Sequence, residues 1–114
     1  MEILNLIRGM FCEKRVRASY AKLEEAMRAK AKFVSELEFH RSMVDFYTSR
    51  VQEIDPYNDW WNFADSKQKQ YDHQQDLLVY GKRVEEADAK VAARKLAFES
   101  ARKELKEFYA SSNP

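Results

Sequence analysis

The sequence has very little with which to turn. Two glycines and two prolines occur in 114 residues, and one of the prolines is the last residue. That is far below ordinary usage and excludes a loop-rich or many-stranded fold. A single cysteine, Cys12, excludes an internal disulfide framework and fits a reducing compartment. No run approaches the roughly 20 apolar residues of a membrane span. The N-terminal apolar cluster (Ile3, Leu4, Leu6, Ile7, Met10, Phe11) is broken by Asn5, Arg8 and Gly9 and has no cleavage site, so it is not read as a leader. The expectation is a cytoplasmic chain. Gly9 and Gly81 are isolated, which excludes a glycine-rich phosphate loop. His40 and His73 lie far apart, and Cys12 is distant from both. No catalytic residues, metal ligands or cofactor are expected, and the chain is not read as an enzyme.

What is present is charge, aromatic rings and a seven-residue rhythm. Charged residues make up 34% of the chain and hydrophobic residues 45%, the balance of long helices with an apolar stripe. Seven Phe, six Tyr and two Trp are too many apolar anchors for a disordered chain. Net charge is only +1, but its distribution is uneven. Residues 8–32 carry eight basic side chains against three Glu, a local balance of +5. Residues 53–76 carry six acids against Lys67 and Lys69, a balance of −4.

Asp55-Pro56-Tyr57-Asn58-Asp59 is the one turn-like cluster. A heptad pattern runs out from it on each side. The first arm steps through Val16, Tyr20, Leu23, Met27, Lys30, Val34, Leu37, Arg41, Val44, Thr48 and Val51. The second steps through Leu77, Tyr80, Val84, Ala87, Val91, Arg94, Phe98, Ala101, Leu105 and Phe108. The prediction is an all-α chain of two long helices forming an antiparallel coiled-coil hairpin. It is treated as a single domain, with arm 1 at about 3–54, the turn at 55–59 and arm 2 at about 60–109. Asp55 before Pro56 is a plausible start for the second helix, with Asp59 as an alternative cap one turn later. Residues 57–73 are left open between helix and loop. A turn near the midpoint pairs positions whose numbers sum to about 114, which sets Lys30 against Val84, a poor match.

Two groups of side chains stand out. Tyr57, Trp60, Trp61 and Phe63 either cover the open end of the seam or form a binding tip, since Trp and Tyr favour interfaces. The basic group contains Arg8, Lys14, Arg15 and Arg17 with Arg102 and Lys103. It is either solvated surface or a contact for an acidic protein. Nucleic acid fits less well, because Glu85, Glu86, Asp88, Glu99 and Glu104 answer the basic residues of the second arm. The N-terminal cluster is expected to continue the first helix and pack on Leu105, Phe108 and Tyr109.

The opening Ile3-Leu4-Asn5-Leu6-Ile7-Arg8, the following Glu13-Lys14-Arg15, the long Ala/Glu/Lys/Arg arm and the closing Ala101-Arg102-Lys103-Glu104-Leu105-Lys106-Glu107-Phe108 resemble a known family. They are similar to the small stalk proteins of flagellar and type III secretion export ATPases (FliJ/YscO-like). The resemblance implies a coupling protein peripheral to the inner-membrane export apparatus, similar to the shaft of a rotary ATPase. It implies contact with a hexameric export ATPase through Arg8, Lys14, Arg15, Arg17, Arg102 and Lys103, and with an export gate protein through Tyr57, Trp60, Trp61 and Phe63. Some members of the family also bind secretion chaperones, and a stalk is expected to be monomeric, without membrane insertion. The alternative reading is a secretion chaperone or structural coiled-coil adaptor that captures a partner helix. Its groove would be the widened stripe at Phe39, Met43, Phe46 and Tyr47.

Overall fold

Good helix formers fill both arms, and no proline interrupts either one. The computed structural model describes residues 2–112, and side chains for residues 2–111. It contains two helices, α1 at Glu2–Glu53 and α2 at Trp60–Ser112, with no strand among the described residues. The stretch left open at 57–73 is helical from Trp60 onward.

The turn is built by two aspartates in succession. Ile54 still donates to the Arg50 carbonyl at 3.2 Å. Asp55 precedes a proline, which biases it away from helix, and Pro56 has no N–H to continue the ladder. The Asp55 carboxylate accepts from Tyr57 N at 2.9 Å and from Asn58 Nδ2 at 2.7 Å, while its carbonyl accepts from Asp59 N at 3.0 Å. The Asp59 carbonyl then takes the first bond of α2, from Phe63 N at 3.0 Å. Both suggested caps are therefore used, one turn apart, and the long helix starts at the second.

The chain divides into two compact units, Met1–Lys30 with Ala87–Pro114, and Ala31–Glu86. Each pairs a segment of α1 with an antiparallel segment of α2. In the first unit the buried residues are small or medium-sized: Gly9, Leu23, Ala26, Ala87 and Ala101. A Cβ built on Gly9 would stand 3.1 Å from the Phe108 ring, so this close approach needs glycine or a shifted ring. Tyr20 and Phe98 have ring centroids 5.3 Å apart, and Lys30 reaches Asp88 at 2.6 Å. In the second unit, Gln70 Nε2 donates to Thr48 Oγ1 at 2.9 Å. These pairs have numbers summing to 117–118, about three more than expected. The shift sets Lys30 beside an acid, and the mismatch with Val84 does not arise.

The buried and half-buried positions of α2 confirm every seam residue expected from Leu77 to Phe108, and the repeat continues back through His73, Gln70, Ser66 and Phe63. In α1 half of the expected series moves by one residue. Ser19, Ala26, Phe33, His40 and Tyr47 take the seam with Val16, Leu23, Lys30, Leu37, Val44 and Val51. Tyr20 and Met27, expected inside, are 48% and 54% exposed, and Arg41 is exposed as well. Val34 and Thr48 are half-buried on the flank. The partner helix decides between the two frames. Small Ala26 and Ser19 enter the seam opposite a helix that carries Val91 and Phe98, while Met27 lies outward and Tyr20 packs its exposed ring on the flank of Phe98.

That argument makes small seam residues intolerant of growth. Replacing buried Ala101 with Leu should cost about 1–3 kcal/mol through overpacking. The same change at exposed Ala97, one turn away, should stay within about 0.5 kcal/mol. Urea denaturation of the two variants provides the comparison, and equal losses would remove the close-approach account.

Candidate functional site

Apolar side chains outside the seam concentrate in two places, one in each unit. In the first unit, α1 begins with six large apolar residues whose exposure runs from 41% at Ile7 to 73% at Ile3. The expected packing on the C-terminal segment is made by other residues. Gly9 meets Phe108, and the Glu13 carboxylate accepts a short hydrogen bond from the Tyr109 hydroxyl. One seam position every three or four residues has room for Gly9 and Cys12, and the rest of the apolar cluster faces outward. Ile7, Met10 and Phe11 line an open groove of about 770 Å³ together with Glu13, Lys14 and Arg17.

The six basic residues expected at this site all lie in the first unit, but they are not equivalent. Arg8, Lys14 and Arg17 are exposed and make no ion pair or hydrogen bond among the described residues. Arg15 is engaged across the seam, with its Nη1 2.5 Å from Glu104 Oε2. Arg102 lies over the Phe98 ring at 5.6 Å from the centroid. Lys103 is 4.0 Å from Glu107 on its own helix. Arg102 and Lys103 line a second groove of about 650 Å³ with Val16, Leu105 and Tyr109. A partner would therefore meet two sets of cations: a free set on α1, and a set on α2 already in contact with its neighbours.

In the second unit the aromatic group divides in two. Phe63 is half-buried at the last seam position, with Lys67 Nζ 5.9 Å from its ring centroid. Tyr57, Trp60 and Trp61 are 91%, 53% and 72% exposed. α1 ends at Glu53, so the first turn of α2 has no helix beside it. Trp60 and Trp61 stack on each other instead, with centroids 4.2 Å apart and planes 24° apart. One of the four rings closes the seam, and three face solvent.

Of the stripe at Phe39, Met43, Phe46 and Tyr47, Phe39 and Phe46 are exposed and Met43 and Tyr47 half-buried. The depression beside Phe46 is lined by Ser42, Asp45, Ser49, Arg50 and Glu53. Sequence spacing missed a different cluster in this unit: His40 on α1 and His73 on α2 meet with Nδ1 atoms 2.9 Å apart. The register rule carried the signal, since a sum near 114 already sets position 40 against 73. Placing Arg41 in the seam hid it.

No helix among the described residues is long and apolar enough to cross a membrane. No family model, curated protein or solved structure matches this chain.

Two outcomes test the local chemistry. Arg15→Glu should destabilise the chain by setting two carboxylates together, and Glu104→Arg in the same chain should recover the loss. Arg17→Glu should be near neutral. Exposed pairs contribute at most about 1 kcal/mol, so a double-mutant cycle at low salt is the measurement. The hydrogen bond to Glu13 raises the Tyr109 phenol above its ordinary value. The folded chain thus holds that proton more tightly than the unfolded chain. The benefit is complete below the ordinary tyrosine range, about 10, and is lost as pH rises through the raised folded value. The stability difference between the parent chain and Tyr109→Phe should accordingly vanish in strong alkali.

Proposed function

We propose that this chain is a non-enzymatic coupling protein with two protein-binding surfaces. In this reading it is the stalk of a type III or flagellar export apparatus, joining the hexameric export ATPase to the export gate. The observation that carries the proposal is that each unit leaves one apolar surface uncovered by its own helix pair. Ile3, Leu4, Leu6, Ile7, Met10 and Phe11 are bordered by the free cations Arg8, Lys14 and Arg17. Tyr57, Trp60 and Trp61 are bordered by Asp55, whose carboxylate caps the turn, and by Asp59, whose carboxylate accepts from the Asn62 side chain.

The two surfaces suit different partners. The first offers apolar area with positive charge, which favours an acidic, partly apolar protein face. The second offers stacked indoles of the kind that dominate interface energetics. Both helices run without a break through the two units. The alternative, a secretion chaperone or coiled-coil adaptor that captures a partner helix, would use the stripe at Phe39, Met43, Phe46 and Tyr47.

Binding assays with a purified export ATPase and the cytosolic part of an export gate protein test the proposal. The combined Arg8→Glu, Lys14→Glu and Arg17→Glu variant should bind the ATPase at least tenfold more weakly and keep its affinity for the gate. Trp60→Ala with Trp61→Ala should do the reverse, with a loss of about 2 kcal/mol or more, as for a buried indole anchor. Arg15 is left intact because its reversal would disturb the helix pair. Failure of the parent chain to bind either protein would end the export reading. Parallel losses in both variants would end the assignment of separate surfaces.

A further inference from the structure

We propose that His40, His73 and Asp76 form a binding site for one divalent transition-metal ion of the zinc class, clamping α1 to α2 within the second unit. The inference is independent of the export reading. It begins with burial: His40 is 8% exposed, in a seam otherwise closed mainly by apolar and small side chains. Its Nδ1 lies 2.9 Å from His73 Nδ1 and 3.7 Å from Asp76 Oδ2. One donor atom from each of the three residues falls within 4.8 Å of the others. Two nitrogens bound tetrahedrally at about 2.0–2.1 Å from zinc are separated by about 3.3 Å. The imidazole pair therefore needs to open by only about 0.4 Å, and the carboxylate to move about 0.4 Å closer to His40.

The planes of both rings are held by aromatic contacts across the helix pair. His40 stacks on Tyr80 of the opposite helix, with centroids 5.2 Å apart and planes 17° apart. His73 stacks on Tyr47 of α1, with centroids 5.9 Å apart and planes 12° apart. The two contacts are reciprocal, so each helix fixes the plane of the other's histidine. The Phe39 ring stands edge-on to both imidazoles. Glu36 Oε2 is 3.9 Å from His40 Nε2, the nitrogen that coordination through Nδ1 leaves free. A swing of this exposed carboxylate by about 1 Å would bring it within hydrogen-bond reach of the Nε2 proton, the usual support for a ligating histidine.

Proton balance is simple. In the neutral pair one ring donates its Nδ1–H to the other Nδ1. On binding, that proton transfers through solvent to Nε2 of the same ring, and both Nδ1 lone pairs go to the ion. The pair releases no net proton. Asp76 is half exposed and supplies one anionic oxygen, leaving a fourth position for water. Two imidazoles with a carboxylate form a nitrogen and oxygen set that suits zinc-class ions better than magnesium or calcium.

The test is a calorimetric titration of the chelator-stripped full chain with zinc chloride alone, repeated on Asp76→Asn and His73→Gln. Thermal melting is followed with and without zinc. The expected result is one ion per chain and a higher Tm with zinc. Affinity should fall at least tenfold in Asp76→Asn, and no stoichiometric binding should remain in His73→Gln. Asp76 is half exposed, so Asp76→Asn should fold and decides the matter even if His73→Gln does not. Absence of one-to-one binding in the parent chain, or affinity unchanged in Asp76→Asn, would overturn the proposal and leave a hydrogen-bonded histidine pair.

Discussion

Everything in this molecule depends on one seam between α1 and α2. A pair of helices buries a single stripe from each partner, and no large side chain among the described residues is fully buried. The helices must approach closely for so narrow a contact to hold, and close approach requires small residues where the opposite side chain is large. Gly9 against Phe108 is the extreme case. Ala26, Ala87, Ala101 and Ser66 are buried because they are small, and they let Val and Phe fill the space. Size matching, more than hydrophobicity, selects which residues enter the seam.

The polar layers follow from the same geometry. A two-helix seam is never far from water, so a polar group within it can be satisfied across the pair at little desolvation cost. Lys30 with Asp88 and Thr48 with Gln70 are such layers. Thr48 also donates to the Val44 carbonyl, so its hydroxyl is used in both directions. Layers of this kind contribute modestly to stability and strongly to register, because a slip of one heptad would strand a charge against an alkyl side chain. The histidine layer belongs to the same class but differs in chemistry. One ring donates its Nδ1–H and the other accepts it at Nδ1, across the two helices.

Much of this was legible in the residues. The helices, the turn and the complete α2 seam from Leu77 to Phe108 followed from heptad spacing and from Asp55-Pro56. The frame of α1 did not, because both Ser19, Ala26, Phe33, His40, Tyr47 and Tyr20, Met27, Val34, Arg41, Thr48 alternate correctly with Val16 and its heptad partners. The second series is the more apolar at its first three positions, and only the bulk of the opposite helix rejects it. Reading each arm alone therefore favoured the wrong frame, which placed Arg41 where His40 belongs and concealed the histidine pair. The basic residues were located in the first unit, but sequence could not separate Arg15, engaged by Glu104, from Arg8, Lys14 and Arg17. That distinction depends on register, which spacing fixed only to within about three residues.

The exposed apolar surfaces are the counterpart of the narrow seam. A helix pair can cover two or three positions per heptad, and a helix that is apolar around its circumference is normally buried by something. From Ile3 to Phe11 the apolar residues extend well beyond the stripe that α2 can cover, and the seam takes Gly9. At the turn, Trp60 and Trp61 stand past the end of α1 and are covered only by each other. Neither surface improves the fold of its own unit, and either would be simple to replace with charge without touching the seam. Both are open to contact with another molecule. The free cations beside the first surface, and the capped aspartates beside the second, make those contacts chemically distinct. Each unit thus carries its own exposed apolar surface, and the two differ in the charge beside them.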